Sequence, residues 1–476
     1  MLFNSFVFIF LFFPLTFLFY FGLNRLGHPT WAKASLVLAS LYFYAYFNWT
    51  YLPIMLSSIL VNFAIGRGLL TYSRSLVRKS LLVLGLGFNL GLLGYFKYTD
   101  FAIDTFNTLF HTQFPLLHIL LPLGISFFTF QQMSFVIDSY KNGTFVLGEG
   151  KHNFLDYSNF VSFFPQLIAG PIVLPEEMLP QFENPANAKP QYKNLCDGLF
   201  LFSMGMFKKV FIADSIATFV NTGYGLSLEH FTLGEAWLIS LSYTFQLYFD
   251  FSGYCDMAMG LGRMFNIHLP LNFDAPYRSA NMGEFWRRWH MTLNRFLTKY
   301  LYIPLGGSRV SNVRSYVNIL IVFLVSGIWH GAGWTFILWG MLHGVGVAVN
   351  RWWKRRGFSM PRWMGIALTF FIVNILWVLF RADNMHQAWV IIRSMFDNTQ
   401  LALSEDFTSH LSSIFQNRYN MLILFLSMPL SVFGPTAYQC MTDYGWYKVK
   451  AVATVVLFAV SILFLTRVST FLYFNF

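Results

Sequence analysis

Ser315-Tyr-Val-Asn-Ile-Leu-Ile-Val-Phe-Leu-Val-Ser-Gly-Ile-Trp329-His330-Gly-Ala-Gly-Trp334-Thr-Phe-Ile-Leu-Trp339-Gly-Met-Leu-His343-Gly-Val-Gly-Val-Ala-Val349 decides the fold. Two segments, 315–329 and 333–349, are apolar enough for a bilayer, and one ionisable ring, His330, sits between them among glycines and tryptophans. A polar ring in hydrocarbon costs several kcal/mol unless it finds a partner, so histidines at that depth face a bundle interior or a water-filled path. His330 is therefore a candidate functional residue. Its bland alternative is a buried, hydrogen-bonded imidazole in a glycine packing motif; Gly331 and Gly333 permit a helix break that would instead open the ring to a path.

Composition agrees with a lipid solvent. The 476 residues are 56% hydrophobic and 20% aromatic but only 11% charged, with a mean hydropathy of +0.51, whereas soluble domains carry roughly 25% charged residues. Apolar segments recur near 3–23, 34–48, 52–66, 80–96, 115–137, 197–220, 236–254, 364–380, 420–436 and 451–470, most near the ~20 residues a crossing helix needs. The first has no basic leader and no small-residue cleavage site, and reads as a retained helix. The expected fold is an all-α polytopic membrane protein of about 11–13 transmembrane or re-entrant helices, as a single membrane-embedded domain over 1–476.

The net charge of +11 sits in short clusters between apolar segments: Arg25 with Lys33, Arg67 to Lys79, Lys208 with Lys209, Arg278 to Arg314, and Arg351 to Arg356. That pattern marks a cytoplasmic side and argues against nucleic acid as a partner. Cys196, Cys255 and Cys440 lie far apart and form no zinc or redox spacing, so no metal is expected. Pro165-Gln-Leu-Ile-Ala-Gly170-Pro171 is apolar but broken by its Gly-Pro pair, which suits a broken or re-entrant element. No Gly-x-Ser-x-Gly elbow, P-loop or His-Glu-x-x-His occurs, which leaves serine-hydrolase, nucleotide-dependent and zinc-protease chemistry unsupported.

Residues 281–300, Asn-Met-Gly-Glu-Phe-Trp-Arg-Arg-Trp-His-Met-Thr-Leu-Asn-Arg-Phe-Leu-Thr-Lys-Tyr, read as an amphipathic helix at about 282–301 in the cytoplasmic interface, opened by an Asn281/Glu284 capping box. Trp286, His290, Leu293 and Leu297 share one stripe, while Arg288, Arg295 and Lys299 fall opposite, toward lipid phosphate or an anionic ligand. His290 and His343 each read either as a satisfied structural histidine or as part of a site. Asp250 and Asp256 would orient a histidine or cap a helix end, the cap being the simpler reading. A histidine of ordinary pKa, near 6.5, is a suitable base for taking a proton from a hydroxyl that then attacks an acyl thioester.

Phe285-Trp-Arg-Arg-Trp-His-Met-Thr-Leu293, Tyr300-Leu-Tyr-Ile-Pro-Leu-Gly-Gly307, Pro165-Gln-Leu-Ile-Ala-Gly-Pro-Ile172, Tyr248-Phe-Asp-Phe-Ser-Gly-Tyr254 and Gly327-Ile-Trp-His-Gly-Ala-Gly-Trp334 together resemble the membrane-bound O-acyltransferase family. The likeness is to the bacterial branch that holds the alginate O-acetyltransferase membrane subunit and the teichoic acid D-alanyl transferase. It departs at Thr298-Lys299 and Leu174, where that family commonly has Arg-Asp and Arg. The resemblance implies helices around a central tunnel, with His330 catalytic, His290 a second important position, and Trp286, Trp329, Trp334, Gly331 and Gly333 shaping the acyl passage. Asp250, Arg287, Arg288 and His343 would support them.

It further implies acetyl-CoA as donor substrate with no bound cofactor, a polysaccharide acceptor, a periplasmic acetyltransferase partner, and a place among the lipids of the bacterial inner membrane. D-alanyl transfer from a carrier protein and a non-catalytic envelope transporter or scaffold are the alternatives.

Overall fold

The computed structural model describes residues 1–141, 153–226, 230–397, 400–411, 414–443, 447–465 and 471–472. Among these residues every regular element is helical. Six helices among the described residues are long and apolar enough to cross a membrane: Phe8–Arg25, Trp49–Thr71, Ser75–Phe110, Asn312–His330, Arg362–Arg381 and Tyr447–Phe464. Their outer faces show large apolar side chains such as Leu18, Phe19, Leu60, Val83, Val455 and Leu463. In water each would forfeit about 1.5–3 kcal/mol of burial, so these faces belong in lipid, where helices keep their backbone polar groups paired. The chain is an all-α polytopic membrane protein.

Contacts gather the chain into two compact units, one of Met1–Phe202 with Cys255–Pro270 and one of Ser203–Tyr254 with Leu271–Phe476. In the first, apolar spans are pinned by buried amides. Asn62 and Asn89 bond each other through both amide groups, at 3.2 and 2.6 Å, and each also donates to the carbonyl four residues back in its own helix. Gln132 donates to Ser58 Oγ at 2.8 Å and accepts from the Tyr157 hydroxyl at 3.0 Å. Every one of these polar groups has a partner, as hydrocarbon demands. The chain from 165 to 173 is broken, as its Gly-Pro pair leads one to expect: a single turn, Phe164–Leu167, gives way to buried non-helical backbone before the helix Pro175–Glu183.

The second unit is organised around the crossing of Asn312–His330 and Trp334–Arg355. A Cβ added to Gly340 would lie 2.5 Å from the Phe323 carbonyl and 2.8 Å from Gly327 Cα. Only two glycines allow that backbone approach. It carries Trp339 against His330, with ring centroids 4.9 Å apart.

Lys209 and Asp250 depart from the sequence pattern. Lys209, grouped with the surface cations by its sequence, has a side chain with no exposure and pairs with Asp214 at 2.8 Å and Asp250 at 2.6 Å. Asp250 accordingly neither caps a helix nor orients a histidine: it lies within the helix Leu233–Met264, paired with Lys209, and accepts from the Leu472 N–H at 3.1 Å. Two carboxylates flank one buried ammonium, and the second of them, Asp250, lies 41 residues from Lys209, which no local pattern announces.

Candidate active site

The stretch expected as one amphipathic helix at 282–301 is two, Met282–Arg288 and Met291–Leu297, followed by a wider turn over Thr298–Tyr302. The break falls at His290, whose φ of +44° is left-handed and unusual for a residue with a side chain. Asn272 explains why it is tolerated. Its side-chain oxygen accepts from the Thr292 N–H at 3.2 Å and the Thr292 hydroxyl at 2.9 Å, and it lies 3.1 Å from His290 Nδ1. A backbone N–H can only donate, so the shared atom is the amide oxygen and His290 Nδ1 carries the hydrogen. The lone pair of His290 is then on Nε2.

At the front of this stretch Asn281 caps through the Glu284 N–H at 3.0 Å, but Glu284 reaches past the cap to the Ala280 N–H, also at 3.0 Å, and to Arg288 at 3.2 Å. Arg288 also meets Asp274 at 2.7 Å. Trp289 and His290, at the break, are both fully buried.

His330 ends its helix and is buried. Its Nδ1 lies 2.6 Å from the Ser326 carbonyl one turn back. A carbonyl only accepts, so Nδ1 again holds the hydrogen and Nε2 the lone pair. The His290 and His330 rings lie 6.3 Å apart at 77°. His343 is the opposite tautomer. The Trp286 Nε1–H, which only donates, meets His343 Nδ1 at 3.2 Å, so the hydrogen of His343 sits on Nε2. Of the three histidines gathered here, two present a basic nitrogen and the third uses its own to hold an indole.

Aromatic rings wall this group. Trp329 and Trp339 each stand 4.9 Å from the His330 ring and Phe380 at 5.4 Å; Trp289, Trp339 and Trp377 are fully buried. Such a wall excludes water and strengthens every polar interaction inside it. Among the described residues no three His, Cys, Asp or Glu side chains stand where they could share a metal ion.

The sequence-derived candidates thus divide. His290, His330, His343, Trp286 and Trp329 come together. Gly331 lies at the break after His330, where a Cβ would strike the Phe336 ring at 2.2 Å, while at Gly333 the nearest atom is 3.5 Å away. Trp334 opens the next helix with 56% of its surface exposed, outside the buried group. Arg287 is exposed, Arg288 is tied to carboxylates, and Asp250 is paired with Lys209. Asn272, Trp339, Trp377 and Phe380 were not singled out beforehand. Only Trp339 carried a local signal, nine residues after His330 and four before His343 on a helix face.

A family model described as MBOAT, membrane-bound O-acyltransferase family, matches residues 146–385. A peptidoglycan O-acetyltransferase of Helicobacter pylori is 41% identical over 100% of this chain and 98% of its own length. A probable alginate O-acetylase AlgI of Pseudomonas aeruginosa is 40% identical over 85% of this chain and 76% of its own. A teichoic acid D-alanyltransferase of Streptococcus thermophilus is 29% identical over 49% of this chain and 58% of its own.

Proposed function

We propose, from the premise that the chain belongs to the membrane-bound O-acyltransferase family, that His330 is the general base of an O-acetyl transfer from acetyl-CoA to a cell-envelope glycan, peptidoglycan first. The observation that supports this reading is the hydrogen bond from His330 Nδ1 to the Ser326 carbonyl, which leaves Nε2 able to accept a proton. The acceptor hydroxyl gives its proton to Nε2 as its oxygen bonds the thioester carbonyl carbon. The C–S bond breaks, and the departing thiolate takes that proton back from the imidazolium. No covalent enzyme intermediate is needed. His290 Nε2, an acceptor in a ring 6.3 Å away, orients the acceptor hydroxyl. His343 acts one step removed by holding Trp286.

Peptidoglycan is favoured as acceptor because the peptidoglycan enzyme aligns with 100% of this chain, the alginate protein with 85%. The acetyl group leaves on the far side of the bacterial inner membrane, where an extracytoplasmic acetyltransferase partner presents the glycan hydroxyl. The site lies in a passage lined by Trp286, Trp329 and Trp339, inside one membrane-embedded catalytic domain.

The test is transfer of labelled acetyl from acetyl-CoA in membranes holding wild type or His330→Ala at matched expression, with label followed into protein and glycan. Label that moves only with wild type, and ends in muramic or glucosamine hydroxyl esters, supports the reading. Transfer by a well-expressed His330→Ala protein refutes the role of His330. Dependence on a carrier-protein thioester would replace the donor by the one a D-alanyl transferase uses.

A further inference from the structure

Away from the histidines the second unit holds a cavity of about 410 Å³ lined by Gly283, Arg287, Asn350, Arg351, Lys354 and Arg355. Four cations face it from two helices, Met282–Arg288 and Trp334–Arg355. Among the described residues none of the four stands within ion-pair distance of a carboxylate, and Glu284, on the same helix as Arg287, is held by Arg288 and Arg362. Their partners are neutral: Arg351 donates to the Tyr302 hydroxyl at 2.8 Å and to the Ser315 hydroxyl, Arg355 reaches the Tyr316 hydroxyl at 3.4 Å and Lys354 the Asn281 amide oxygen at 3.4 Å. The negative end of a helix dipole attracts cations in its last turn. That accounts for Lys354 and Arg355, and in part for Arg287 at the end of its own seven-residue helix, but not for Arg351 a turn earlier. Like charges at this spacing repel, so the arrangement lacks its counter-ion.

The surroundings identify it. Trp352, Phe358 and Trp363 are exposed at 43%, 49% and 72%, between the end of Trp334–Arg355 and the start of the membrane span Arg362–Arg381. Exposed aromatics among cations at the end of a span mark the headgroup layer. We propose that this cavity binds the phosphodiester headgroup of an anionic phospholipid. Its volume lies within the roughly 300–1,000 Å³ of ordinary ligand sites, and clustered cations beside a membrane span attract anionic headgroups. A zwitterionic lipid brings its own ammonium into the same four cations and is disfavoured. The assignment does not depend on the acyl-transfer reading.

The test uses the whole chain in nanodiscs of phosphatidylcholine with graded phosphatidylglycerol, and counts the lipids retained by native mass spectrometry. Wild type is expected to keep one phosphatidylglycerol in preference to phosphatidylcholine. Arg287→Gln with Lys354→Gln should lower that preference about tenfold or more, as two interfacial cations are worth, while Arg74→Gln with Lys79→Gln, in another basic cluster, keeps it. Equal retention of the two lipids by wild type overturns the proposal without any variant, as does an unchanged preference in the folded double variant. Binding of adenosine diphosphate to wild type with no phosphatidylglycerol preference would assign the cavity to a soluble phosphate ligand and also overturn it.

Discussion

Replacing Asn272 by alanine removes one acceptor that serves three donors around the His290 break. The Thr292 hydroxyl can rotate to another acceptor; the Thr292 N–H and His290 Nδ1–H cannot. Each buried donor left unmade costs about 1–3 kcal/mol, so about 2–6 kcal/mol of local stability is at stake. His290, held at φ +44°, would then relax toward ordinary backbone and carry its ring away from His330. We expect Asn272→Ala to lower acetyl transfer about 10²-fold, the scale on which a misplaced acid–base group fails, and to lower the thermal midpoint of the detergent-purified protein. Asn272→Asp separates the two effects. A carboxylate restores the acceptor and the stability, but its charge favours the imidazolium, which has no lone pair on Nε2. Transfer should stay low while the midpoint recovers, and ¹⁵N spectra of the labelled imidazole should report the protonated ring. Transfer by Asn272→Ala within about twofold of wild type, with an unchanged midpoint, would refute the reasoning.

Three further outcomes follow from the packing. Burial pushes the pKa of Glu284 up, but the Ala280 N–H and the Arg362 and Arg288 guanidiniums outweigh it and leave the carboxyl below its usual 4.5. Its folded pKa is thus below the unfolded one, so its stabilisation is complete above about pH 4.5 and lost as pH falls through the folded pKa; unfolding midpoints measured from roughly pH 6 to 3 should show that loss in wild type and a flatter course in Glu284→Gln. Lys209→Met leaves Asp214 and Asp250 buried without their cation and should cost about 3–5 kcal/mol, read as lost folded protein on size exclusion, with partial return in Lys209→Met/Asp250→Asn. Gly340→Ala sets a methyl 2.5 Å from the Phe323 carbonyl and should cost about 1–3 kcal/mol; an unchanged thermal midpoint would show that the two helices part freely.

Much of this was legible because lipid writes itself into composition. A chain with 11% charged residues has little to offer water, and the meeting of His330 with Trp329 and Gly331 is local enough to read along the chain. His290 was legible as a residue but its geometry was not: a left-handed turn inside an otherwise helical pattern is set by Asn272, 18 positions away. The basic pattern misled at Lys209, since charge counted along a sequence does not register a carboxylate 41 residues later on a neighbouring helix. Trp377 reached the site only by folding.

The paired amides of Asn62 and Asn89 bear on how the chain is made. Trp49–Thr71 ends three residues before Ser75–Phe110 begins, so the first helix leaves the ribosome with an amide that only its neighbour can complete. At about 5–20 residues per second that wait lasts one to a few seconds. During it Asn62 has the Ser58 carbonyl of its own turn, while the bonds it shares with Asn89 wait for the second helix. Once both helices are made, one pair of side chains fixes their depth relative to each other.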